Sequence, residues 1–162
     1  MILGMTTYTF VHVVISLVGI ASGLIVLLGL LSSRRFGGWT ALFLLATVAT
    51  CVTGFGFPFT QLLPSHIVGV VTLVACSVAV LALYIRRLAG AWRWIYVICA
   101  VIALYLNVFV LVVQAFLKVP SLNALAPTQT EGPFKLTQLV VLVTFTLLCL
   151  IAAFRFRPAP RR

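Results

Sequence analysis

The chain contains no aspartate and a single glutamate, Glu131. Paired carboxylates for acid–base hydrolysis are therefore excluded, and so is a proton relay of acidic side chains within a membrane. Only two histidines occur, His12 and His66. A three-ligand zinc centre would have to recruit Glu131, which stands in no spacing relation to either. The four cysteines, Cys51, Cys76, Cys99 and Cys149, include no CxxC pair, so a thiol–disulfide relay lacks its resolving partner. They read as small buried hydrophobes. Charge of either sign is scarce: 7% of residues are charged and 64% are hydrophobic, against about 25% charged in an ordinary domain. Too little polar surface exists to cover an aqueous fold, so the expected solvent is lipid.

What charge there is lies almost wholly on one sign, with a formal net charge of +10. Nucleic-acid binding would need those groups on one folded aqueous face, whereas here they sit in short connections between apolar stretches. No nucleic-acid partner is expected. Nine of the 11 basic residues form three clusters, Arg34–Arg35, Arg86–Arg87 with Arg93, and Arg155, Arg157, Arg161 and Arg162. Adjacent clusters are separated by two long apolar stretches, which places all three on one side of a membrane. Loops rich in Lys and Arg stay cytoplasmic, so the N-terminus is expected outside and the C-terminus inside. A four-span arrangement would carry at least one cluster to the other side.

The fold class that follows is all-α, a polytopic five-helix bundle forming one transmembrane domain over residues 1–162. The spans are expected at about 10–31, 39–57, 66–85, 94–117 and 134–154. Trp39, Trp92, Trp94 and Tyr84 stand beside the arginine clusters, as aromatic rings do at a headgroup boundary. The segment before the first span has no positive charge and the apolar run exceeds an h-region of about 7–15 residues, so it reads as an anchor and not a cleaved signal.

Polar residues within the spans are the next signal, because lipid offers them no partners. His12, Ser16, Gly19 and Gly23 form one stripe on the first helix. Gly19 and Gly23 match the GxxxG pattern of close helix approach, either within the bundle or as the face of a homo-oligomer. Tyr96, Ala100, Ala103, Asn107 and Gln114 form a stripe on the fourth helix, and Gln138 enters the fifth from the same side. His12, His66, Asn107, Gln114 and Gln138 together suggest a polar, ligand-binding pocket near the outer face. Each also has a plainer role, since Asn and Gln commonly clamp neighbouring membrane helices and His66 suits a headgroup boundary. A sharper alternative makes His12 and His66 the axial ligands of a b-type haem, with no arginine on that side for the propionates. The long connection after Lys118 carries Leu122, Leu125 and Pro127, which suits either a lid over the bundle mouth or a loop resting at the interface.

The segments Gly38-Trp-Thr-Ala-Leu-Phe-Leu, Val52-Thr-Gly-Phe-Gly-Phe-Pro-Phe and Tyr105-Leu-Asn-Val-Phe-Val-Leu-Val-Val-Gln-Ala-Phe, with Lys118-Val-Pro and Ala126-Pro-Thr-Gln, carry a likeness over nearly the whole chain. The chain resembles a group of small multi-span inner-membrane proteins of proteobacteria. That resemblance implies a bacterial inner (cytoplasmic) membrane and no particular activity, cofactor or site. The expected role is a non-enzymatic membrane component, an accessory to a protein partner or a binder of a small ligand. Alternatives are a redox subunit holding haem or a quinone, and a small-solute transporter or channel.

Overall fold

Where no water is at hand to pair with the backbone, an apolar chain must satisfy its amides within each segment. The computed structural model, which describes residues 6–57 and 64–157, does so with helices throughout. Helix α1 spans Thr7–Leu31, α2 Gly37–Phe55, α3 Pro64–Val80, α4 Trp92–Lys118, α5 Pro120–Leu125 and α6 Gly132–Arg155. A π turn, Leu81–Ile85, prolongs α3. Five helices are long and apolar enough to cross a membrane, counting α3 with its π turn as one of them. No strand occurs among the described residues. Arg161 and Arg162 of the third cluster lie outside them.

The helix ends follow local chemistry. Thr6 caps α1 by accepting a bond from the Thr9 amide. Proline helps to open α5 and α6, where a missing N–H costs nothing. At the end of α3 the turn widens, with the Arg86 amide bonded to Leu81 O at 2.9 Å. The Leu88 amide then closes on Ala82 O, and Arg87 and Leu88 take left-handed backbone angles to make that closure.

Helices α1 to α4 pack as a ring, α1 on α2 and α4, and α3 on the same two; α6 lies outside it against α4 and α1. Lipid tails are as apolar as leucine, so close packing and hydrogen bonds have to hold these helices together. Small residues line the contacts accordingly. Gly23 is tightly enclosed: a Cβ there would stand 2.6 Å from Leu104 Cδ1 and 2.8 Å from Phe43 Cε2. Phe43 and Leu104 are each 1% exposed, and with Val26, Leu27, Ala100 and Val101 they fill the ring's interior. Large apolar side chains such as Leu45, Val52, Ile67, Leu136 and Phe154 point outward. An aqueous protein would not expose so many of these, whereas lipid accepts them.

The arginine clusters gather at one end. The Arg157 amide donates to Ser33 Oγ at 2.8 Å, and the Arg93 guanidinium donates to the Phe156 carbonyl. Phe156 is fully buried against Tyr96. Arg86 stacks over Trp92 and Arg93 over Trp94. This is the arginine end. The opposite end carries the start of α1, the end of α2, His66, and the α4–α6 connection.

Candidate functional site

At the end opposite the arginines, α1 and α2 meet around one histidine. His12 is half-buried, and its Nδ1 lies 2.7 Å from Thr53 Oγ1 on α2. The same Oγ1 is 2.7 Å from the Ala49 carbonyl and 3.2 Å from that of Thr50. A hydroxyl has one proton and a carbonyl can only accept. Were that proton given to the imidazole, Thr53 Oγ1 and the Ala49 oxygen would face each other as bare acceptors. The proton therefore goes to the helix backbone, and His12 Nδ1–H donates to Thr53. In the neutral ring this leaves the lone pair on Nε2.

Aromatic groups set the imidazole's surroundings. Phe57 meets His12 edge-on, with ring centroids 5.1 Å apart and planes at 90°, and meets Tyr8 at 5.0 Å. The Tyr8 hydroxyl donates to the Thr53 carbonyl at 2.6 Å. Gly56 makes that seat possible, because a Cβ there would strike the Tyr8 hydroxyl. His12, Tyr8, Thr53 and Phe57 thus form one half-exposed unit with a fixed imidazole.

His66 is buried on α3 and stacks on Phe55, with centroids 5.7 Å apart and planes at 20°. Thr53 and Phe55 are two residues apart on α2, which turns them roughly 200° from one another. The two histidines therefore touch different flanks of α2. A haem iron shared between them would require the end of α2 to withdraw from its place. No group of three His, Cys, Asp or Glu side chains suited to a metal ion occurs among the described residues.

The carboxamides act as clamps at separate places. Asn107 Nδ2 donates to Thr47 Oγ1 at 3.0 Å, joining α4 to α2 across the ring. Thr47 is fully buried beside Gly19. It lies about 9 Å along α2 from Thr53 toward the arginine end. Gln138 Nε2 donates from α6 to the Phe109 carbonyl at 3.2 Å, and its buried Oε1 has no partner among the described residues. Gln114 is exposed. The five residues of the expected pocket thus share roughly one half of the bundle, but four of them occupy separate interfaces and Gln114 faces outward.

Sequence reasoning missed how the α4–α6 connection is held. Its first part is α5, and the carboxamide of Asn123 donates to the Phe116 carbonyl at 3.1 Å. Four residues after Phe116 stands Pro120, which has no N–H to give, so Asn123 replaces the missing helical bond. Gln129 Nε2 donates to the Val113 carbonyl at 2.9 Å. Phe109, Val113 and Phe116 follow steps of four and three along one face of α4, so three carboxamides fasten neighbouring segments to that face. The connection lies on α4 instead of arching free over the bundle. Glu131 closes its far end. Desolvation raises its pKa, but bonds from the Thr128 hydroxyl and from the Thr128 and Thr130 amides together outweigh this and hold it below the ordinary carboxylate value.

No protein-family model, curated protein or solved structure matches the chain. The functional reading therefore rests on the geometry.

Proposed function

We propose that this protein is a non-enzymatic accessory component of the bacterial inner membrane, with the arginine end cytoplasmic, that holds a small amphipathic ligand at its outer boundary. The positive-inside rule supports the orientation. The observation that carries the ligand reading is His12: Thr53 fixes its ring by accepting a hydrogen bond from Nδ1–H, which leaves Nε2 of the neutral ring as an acceptor. The ligand then carries a hydrogen-bond donor, such as a hydroxyl, beside an apolar body that suits the edges of Phe57 and Tyr8. A quinol headgroup has both features, which keeps a redox accessory role as the second reading. Transport is disfavoured by the packing of Phe43 and Leu104 against Gly23, which fills the route between the two ends.

The test is gentle purification followed by mass spectrometry of bound small molecules, comparing wild type with His12→Phe and Asn107→Leu. A hydroxyl-bearing molecule retained by wild type and Asn107→Leu but lost from His12→Phe supports the reading. Equal recovery from all three contradicts it. A reducible haem absorption band would replace it with the haem alternative.

A further inference from the structure

A shallow groove of about 280 Å³ runs down the outside of the bundle between α2 and the end of α3. Its walls are Ala41, Leu44, Leu45 and Val48 on one side and Val80 and Tyr84 on the other. From Ala41 to Val48 it extends about 10 Å along the helix. Every lining side chain is apolar except for the Tyr84 hydroxyl. Val80 and Tyr84 stand four residues apart, on one face of α3 and the π turn that prolongs it.

The groove opens toward the arginine end. Gly37 lies one turn before Ala41 on the same face of α2, and nothing stands within 4 Å of where a Cβ of Gly37 or Gly38 would be. Space for a headgroup therefore continues from the groove's mouth. Arg34 and Arg35 immediately precede this opening, and Arg86 and Arg87 follow the π turn on the other wall. The only acidic side chain of the chain, Glu131, is at the opposite end. A cationic rim above an apolar trough, with no acidic side chain beside it, complements an anion bearing a long hydrocarbon chain.

We propose that this groove is a binding site for an anionic phospholipid, one acyl chain lying along Ala41, Leu44, Val48 and Val80 and the phosphate held at the mouth by Arg34 and Arg35. Tyr84 lies beside the glycerol at the boundary. This goes beyond a general attraction of a positive surface for anionic membranes, because a defined trough selects an attached lipid and not a diffuse ion atmosphere.

The experiment is native mass spectrometry of the full chain in detergent, titrated with phosphatidylglycerol or with phosphatidylcholine of the same acyl chains. The site predicts that phosphatidylglycerol is retained in preference by about tenfold or more. Ala41→Phe, which fills the trough, and the Arg34→Gln/Arg35→Gln pair, which discharges the mouth, should each remove most of that retention. Leu142→Phe on the exposed face of α6 and Lys135→Gln at the opposite end should leave it unchanged. Val80→Phe fills the trough from the other wall, so a folding defect in one variant does not decide the outcome. Equal retention of the two lipids, or full retention by both trough-filling variants, overturns the proposal.

Discussion

The closeness of α1 to its neighbours at Gly23 makes a steep prediction. In Gly23→Ala the new methyl would begin 2.6 Å from Leu104 Cδ1 and 2.8 and 2.9 Å from two Phe43 ring carbons. Carbon atoms pack at about 3.5–4.0 Å, so Leu104 must withdraw by roughly an ångström and the Phe43 ring by somewhat less. Both side chains are 1% exposed, so neither can relieve the clash by turning out of the bundle. Overpacking of this kind costs about 1–3 kcal/mol. Gly19 provides the internal comparison, since a Cβ there would meet Thr47 Oγ1 at 3.5 Å and Ala46 Cβ at 3.6 Å, which is ordinary contact. Thermal unfolding in one detergent, followed by circular dichroism, should show Gly23→Ala lowered by several degrees and Gly19→Ala close to wild type. Equal midpoints for the two variants would refute the argument that Phe43 and Leu104 seal the ring at this level.

Further outcomes follow from the same geometry. Asn107→Leu should cost about 0.6 kcal/mol and at most about 1.7, the range measured for hydrogen bonds between membrane helices, and a double-mutant cycle with Thr47→Val should return that coupling. Asn123→Leu leaves the Phe116 carbonyl without a donor, so hydrogen exchange in α5 should rise while α1 to α3 keep their protection. Because the folded-state pKa of Glu131 is depressed, the bonds it makes to Thr128 and Thr130 are fully present above the unfolded value near 4.5 and are lost as pH falls through the lower folded value. Protection of the Thr128 and Thr130 amides, taken relative to the intrinsic exchange rate at each pH, should fall in that acid window, and Glu131→Gln should abolish this pH dependence of the protection.

Much of the architecture was legible because it depends on solvent. Apolar runs of membrane length cannot be covered in water, and the five expected spans agree with the helices to within a few residues. Depth was legible too, since counting from the arginines put His12, His66 and Gln138 in the half of the bundle away from them. Facing was not. Whether Gln114 turns inward depends on the rotation of α4 and on which helices flank it, and the apolar pattern is too uniform to fix that rotation; Gln114 is exposed. The partners Thr47 and Thr53 were passed over for the same reason, as a threonine in a helix commonly satisfies its own backbone. Helix α5 hid in a proline-rich connection, although Pro120 at a helix start and the orphaned Phe116 carbonyl were signals in the spacing. The π turn leaves no trace in composition, because it adds a residue to a turn without changing what kind of residue is present.

The central claim is that Thr53 locks the His12 imidazole so that Nε2 faces a ligand as an acceptor. Nitrogen-15 chemical shifts of His12, assigned by comparison with His12→Phe in lipid bilayers near neutral pH, test it most directly. The account predicts a protonated Nδ1 and a bare Nε2, with that preference weakened in Thr53→Val. A protonated Nε2 with a bare Nδ1, in which Thr53 is the donor, would contradict it.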